Sequence, residues 1–283
     1  MIIHVIKNLF SENSQFENSS GGEESIGGGF DLDLTLDMIL LVAFVLLYLL
    51  LAILYLWVGV NHDKIQIKLT LKCLPLISLI LWYTIQWSIG VGLCEEAVRG
   101  TRGESWYFYL TLFALIASVI GDALLNIRVV SPLGIISFGI AQILFSIIFG
   151  AQGFPGSTWL EVILLLLLVA GICLGIFLAI RQKLNALFKE HFNIGILVIV
   201  GFYFSMIATM LWTALLLHVT VGTLQSFFGL VGGALFFISD LCILLSGIYS
   251  SHWFFKNRIS VMTTYYIAQF FISISVLLLC SDF

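Results

Sequence analysis

Two aspartates stand inside long apolar stretches of this 283-residue chain: Asp122 in SVIGDALLN and Asp240 in FFISDLCIL. An aspartate at the centre of a membrane-crossing helix costs roughly 2.5 to 3.5 kcal/mol on insertion scales. Leucine or isoleucine would insert without that penalty, so two aspartates in matching surroundings point to chemistry. Carboxyl groups in hydrocarbon do two kinds of work: they give and take protons, or they couple to a moving proton or cation. Other polar side chains fall at similar depth. Asn126 follows Asp122 at i+4 and shares its helix face, and Tyr265 and Gln269 repeat that spacing. Gln142 and Tyr203 each lie about ten residues into an apolar run, and Lys72 opens another. A lone tyrosine or glutamine in such a run is most often helix–helix glue. Their convergence on one leaflet makes a candidate site, with Asp122 and Asp240 as its acid and base. Lys72, Asn126, Gln142, Tyr203, Tyr265 and Gln269 are then its substrate-binding groups.

The elements that must position these residues are membrane spans. The chain is 60% hydrophobic and 10% charged, against about a quarter charged in soluble domains. A helix needs roughly 20 apolar residues to cross the hydrocarbon core. Runs of that length fall near 37–60, 72–93, 105–127, 132–151, 159–181, 193–218, 221–248 and 259–281. The expected fold is therefore all-α, a polytopic transmembrane bundle of about eight spans occupying 37–283. Residues 1–36, rich in Ser, Gly, Asn and acidic groups, read as a disordered tail. Division of the apolar stretch 192–248 rests on Thr220 to Thr223, with no charge between the two spans.

Positive flanks favour the cytoplasm. Loops after spans one, three, five and seven hold Lys64, Lys68, Arg128, Arg181, Lys183, Lys189, Lys256 and Arg258. The other side holds Lys7, Arg99 and Arg102, which puts both termini outside or in the lumen and the site in the cytoplasmic half of the bilayer. The glycosylation sequon at Asn18 agrees with that orientation. Five cysteines without a CxxC pair and five scattered histidines predict neither a disulfide framework nor a bound metal. A net charge of -4 has no basic face for nucleic acid. Gly171-xxx-Gly175 and Gly229-xxx-Gly233 are small-residue seams suited to close helix packing. A faint internal echo pairs GDALL with SDLCILL and GIAQILFSI with YIAQFFISI, as two four-helix halves would.

At these residues the chain resembles the YhhN family, the lysoplasmalogenase-like multi-span membrane proteins. The matching segments are Lys72-Cys73-Leu74-Pro75, then Ser118-x-x-Gly121-Asp122-x-Leu124-Leu125, then Tyr203 with Met210. Gly233-Ala234-x-Phe236-x-x-Ser239-Asp240 and Tyr265-Tyr266-x-Ala268-Gln269 complete the set, in family order from about residue 70 to the end. The resemblance implies hydrolysis of the vinyl ether bond of lysoplasmalogens to a fatty aldehyde and a glycerophospho-headgroup, without a cofactor. It implies the endoplasmic reticulum as the membrane in a eukaryote, and Asp122 and Asp240 as the family's intramembrane aspartates. Span four departs from the family pattern: Gln142-Ile-Leu-Phe145 stands where His-x-x-Tyr is expected. Glutamine hydrogen-bonds but exchanges no proton near neutrality.

Vinyl ether cleavage is acid catalysis, in which a proton reaches the alkene carbon and water traps the oxocarbenium ion. A carboxyl group removed from water disfavours its charged form, and two neighbouring carboxyls resist double ionisation. Two aspartates at one depth can therefore supply one neutral acid and one anion, the division of labour of glycosidases. Lys72 at the interface is the candidate for the lipid phosphate, with Arg128, Lys256 or Arg258 beside it. Two other readings compete: a catalytically inactive lipid-binding relative, to which Gln142 lends weight, and a proton- or solute-coupled transporter.

Overall fold

Inside hydrocarbon a backbone can bond only to itself, and the chain meets that demand with helices throughout. The computed structural model describes residues 32–60, 64–98, 105–127, 131–190, 194–248 and 258–279. In order, α1 is Leu32–Leu54, continued by a single π turn Tyr55–Gly59, and α2 is Ile65–Val98. Then come α3 Ser105–Leu125, α4 Ser131–Gly153 with a short 3-10 turn Phe154–Gly156, and α5 Trp159–Glu190. The chain closes with α6 Ile194–Val221, α7 Leu224–Ile248 and α8 Arg258–Leu279. Each contains a segment long and apolar enough to cross a membrane, so the expected all-α bundle of eight spans is the observed one. No strand occurs among the described residues.

Several boundaries differ from those the apolar runs suggested. Helix α2 starts at Ile65, so Lys72 and Pro75 lie within it rather than at its mouth. The polar segment IQIK continues the helical ladder before hydrocarbon begins, because helix formation needs backbone bonds and not apolar side chains. Proline contributes no N–H there, and the Ser78 hydroxyl donates to the Pro75 carbonyl at 2.7 Å. Helix α5 likewise runs on through RQKLNALFKE. Helix α1 starts at Leu32, ahead of the 37 inferred from hydropathy. Most of the tail inferred for 1–36 lies outside the described residues, as does Asn18. The uncertain division between α6 and α7 is real. Gly222 has φ 67°, a backbone state natural to glycine, and its N–H bonds to the His218 carbonyl at 2.9 Å to end α6.

Helix α8 is the most enclosed span and α5 the least. The closest helix pairings are α7 with α8 and α3 with α4, equivalent hairpins in the two halves that the internal echo suggested. Core side chains converge between them: Leu115, Ala141, Phe145, Phe236, Ala268 and Ile272 are all fully buried. Gly229 and Gly233 do serve as contact points, facing Ser275 and Phe149, and Ala214 and Met210. Gly171 and Gly175 do not: among the described residues nothing lies within 4 Å of a Cβ at either. Both are exposed on α5, where their spacing carries no packing among the described residues.

Candidate functional site

Helix α3 brings Asp122 to its last turn, facing inward and 1% exposed. Lys72 of α2 reaches its Oδ1 at 2.7 Å. The Tyr265 hydroxyl of α8 donates to its Oδ2 at 3.0 Å. Both carboxylate oxygens thus have a strong partner, which is what a buried charge requires. Two further bonds aim these partners. The Tyr266 hydroxyl donates to the Lys72 carbonyl at 2.9 Å, and the Tyr48 hydroxyl of α1 donates to the Tyr266 carbonyl at 2.6 Å. Adjacent tyrosines on α8 therefore grip the side chain of the acid and the backbone of its counter-ion together.

The Tyr265 ring stands between Phe138 and Phe236, nearly perpendicular to each, with centroids 5.9 and 5.5 Å away. Phe138 reaches that place because residue 121 has no side chain: a Cβ on Gly121 would meet the Phe138 ring at 2.6 Å. The Gly-Asp pair is in this sense one device, the glycine admitting the ring that steadies the aspartate's phenol. One turn deeper, Gln269 Nε2 donates to the Ser118 hydroxyl at 3.1 Å, a second rung between α3 and α8.

Asp240 of α7 has a different environment. Its Oδ2 accepts a hydrogen bond from the Tyr203 hydroxyl of α6 at 3.0 Å. Among the described residues no cation pairs with it, and it is partly exposed where Asp122 is sealed. The two carboxyl groups lie within electrostatic reach of one another, and the Asp122 charge also acts on Tyr203. Helix α4 packs against both α3 and α6, and its Gly139 lies against Met206 and the Tyr203 ring. Gln142, one turn beyond Phe138, is fully buried, and among the described residues neither its Oε1 nor its Nε2 has a hydrogen-bond partner. The Gln269 Oε1 is likewise unpaired.

The candidate residues are thus brought into one region on two clusters: Lys72, Asp122, Tyr265 and Gln269, and Tyr203 with Asp240. Lys72 is bound to the aspartate instead of being free at the interface for phosphate. Asn126 donates its amide to the Asp122 backbone carbonyl at 2.8 Å, closing the end of α3 rather than touching the carboxylate. Arg128 and Lys256 lie outside the described residues, as does the side chain of Arg258. Sequence reasoning quoted Ser118 and Tyr266 only within the segments that carry the family resemblance, and passed over Tyr48 and Phe138. Tyr48 left a signal, a single polar tip in the run LLYLLLA. Phe138 left none, because its importance comes from a neighbour's missing side chain. Among the described residues no cluster of His, Cys, Asp and Glu could hold a metal.

Fold and site define a multi-pass α-helical membrane protein whose interior holds two carboxyl groups with unlike partners. The family model of the YhhN family matches residues 67–276, and the chain belongs to that family. No curated protein and no solved structure matches the chain.

Proposed function

We propose that the protein is an intramembrane hydrolase that cleaves the vinyl ether bond of lysoplasmalogens. The observation that carries this reading is the asymmetry of the carboxyl pair: Asp122 bears a lysine and a phenol, Asp240 a phenol. A carboxyl group half withdrawn from water, with a phenol and no cation beside it among the described residues, is cheapest uncharged, whereas one salt-bridged to lysine keeps its charge. Asp240 is therefore assigned as proton donor and Asp122 as the standing anion. Asp240 transfers its proton to the alkene carbon remote from the ether oxygen, leaving positive charge shared between that oxygen and its neighbouring carbon. Water adds to this carbon and gives up a proton, which restores Asp240. The hemiacetal then collapses, the carbon–oxygen bond to glycerol breaks, and the proton on the hemiacetal hydroxyl passes to the departing oxygen. Products are a fatty aldehyde and a free glycerophospho-headgroup. Lys72, in this reading, holds Asp122 charged, and Asp122 stabilises the oxocarbenium ion.

The test is aldehyde release from a lysoplasmalogen in detergent. Asp240→Asn and Asp122→Asn should each lower the rate by a factor on the order of a hundred or more, the scale of a lost general acid. Full activity in both variants would refute the assignment. Gln142 supports a second reading, a lipid-binding relative without turnover, because glutamine stands buried and unpartnered where a proton-carrying histidine is expected. Lipid bound without aldehyde release, with activity gained in Gln142→His, would favour it.

A further inference from the structure

Seven buried side-chain polar atoms find no partner among the described residues, and four of them belong to three residues of α4 and α8: Gln142 Oε1 and Nε2, Gln269 Oε1 and Ser273 Oγ. All three side chains are fully enclosed. Their common level follows from the way α4 and α8 lie together. As even-numbered spans they cross in the same direction, and at one end Phe138 meets Tyr265 with ring centroids 5.9 Å apart. At the other end a Cβ on Gly229 would meet both the Phe149 ring, at 3.2 Å, and the Ser275 hydroxyl, at 2.9 Å. Phe149 is eleven residues on from Phe138 and Ser275 ten on from Tyr265, so the helices keep register between these points. Gln142 and Gln269 each follow the first contact at i+4, on the face that makes it. Ser273 comes one turn further.

The Gln269 amide has one satisfactory orientation. Ser118 gives its proton to the Ala114 carbonyl at 2.9 Å, so toward Gln269 it can only accept, which it does from Nε2 at 3.1 Å. Oε1 is left as an acceptor. Ser146, one turn beyond Gln142, spends its proton on the Gln142 backbone carbonyl at 2.7 Å and offers no donor. Two amide oxygens, an amide N–H group and a hydroxyl therefore stand among fully buried Phe145, Phe236 and Ile272. Left unmet, each would forfeit its hydration for nothing.

We infer that Gln142, Gln269 and Ser273 bind buried water one turn inward of Asp122 and Tyr265, and that this is the water the hydrolysis consumes. A cation would leave the amide N–H unmet and an anion the amide oxygens, whereas water both donates and accepts. Buried waters make about three hydrogen bonds, and this group supplies them. The use of the water rests on the hydrolase reading. Its oxygen becomes the aldehyde oxygen, one of its protons returns to Asp240, and the other leaves on the glycerol oxygen.

Radiolytic labelling of the unaltered full chain in detergent, without lipid, reads the water itself. X-rays split a bound water where it sits, and the hydroxyl radical attacks the nearest side chains. Phe145 and Ile272, fully buried about one turn beyond Gln142 and Gln269, should be hydroxylated at rates near those of exposed residues. Tyr83, 1% exposed and stacked on Phe108 between α2 and α3, should not. Silence at Phe145 and Ile272 overturns the site and leaves the two amides paired with each other. Equal labelling of Tyr83 overturns it as well, because the signal then marks general opening of the bundle. Ser273→Ala and Gln142→Leu test the use of the water. Each should lower kcat about tenfold, the scale of one lost hydrogen bond, with KM near the parent's. With methanol added, each should also release a larger share of product as methyl acetal. Unchanged kcat and acetal share in both variants overturns the supply of water from this site and leaves the hydrolase reading standing. Labelling of Phe145 and Ile272 with no aldehyde from any lysoplasmalogen upholds the water site and defeats the hydrolase reading alone.

Discussion

Lys72 and Asp122 exchange most of their water for each other, the ammonium left 10% exposed and the carboxylate 2%. Such a pair is worth little as net stability but is costly to break from one side, about 3 to 5 kcal/mol, because the survivor is a stranded charge. Lys72→Met should therefore lower the unfolding midpoint in detergent sharply. Lys72→Met combined with Asp122→Leu should regain most of that loss while remaining inactive. A single variant as stable as the parent would show that the two groups are not an ion pair. The residue types at the site could be read from the sequence, since a charge in hydrocarbon is conspicuous wherever it stands. Their pairing could not. Lys72 reads as a membrane-edge cation until α2 is seen to begin at Ile65, which carries the ammonium inward to Asp122.

At the scale of elements, close approach of α3 to α4 rests on glycine, and the two glycines facing the site differ in what they hold off. Gly121 faces the rigid ring of Phe138, while Gly139 faces the Met206 thioether at 2.7 Å. A methyl group at 121 must displace a ring that braces Tyr265. At 139 it meets a flexible side chain that can swing aside. Gly121→Ala should cost about 1 to 3 kcal/mol, the usual range for overpacking, and reduce activity as well. Gly139→Ala should cost well under half of that. Thermal unfolding of the two variants side by side decides the matter, and equal losses would count against the account of Phe138. Helix existence was legible from apolar runs because crossing a bilayer leaves the backbone no alternative. Helix ends were not, as α2 and α5 show by extending through polar segments that hydropathy assigns to loops.

For the whole molecule, alternation of eight spans puts the α1–α2 and α4–α5 connections on opposite faces of the membrane. The excess of Lys and Arg in loops after the odd-numbered spans predicts that the α1–α2 side is cytoplasmic. Single cysteines at Gln66 and Ser157, in a background lacking native cysteine, should react with a membrane-impermeant maleimide from opposite sides, Ser157→Cys from the exterior or lumen. Labelling of both from one side would remove a span, and the reverse pattern would move the site to the other leaflet.

Membrane residence, the number of crossings and the candidate acids follow from composition and spacing, because the cost of placing polar groups in hydrocarbon depends on their chemistry and not on their neighbours. Which acid is neutralised depends on contacts 50 and 143 residues apart, Lys72 with Asp122 and Tyr265 with Asp122. Hydrogen bonds and ion pairs act over a few ångströms, so only the packed bundle could decide that one aspartate is sealed with a lysine while the other stands beside a tyrosine.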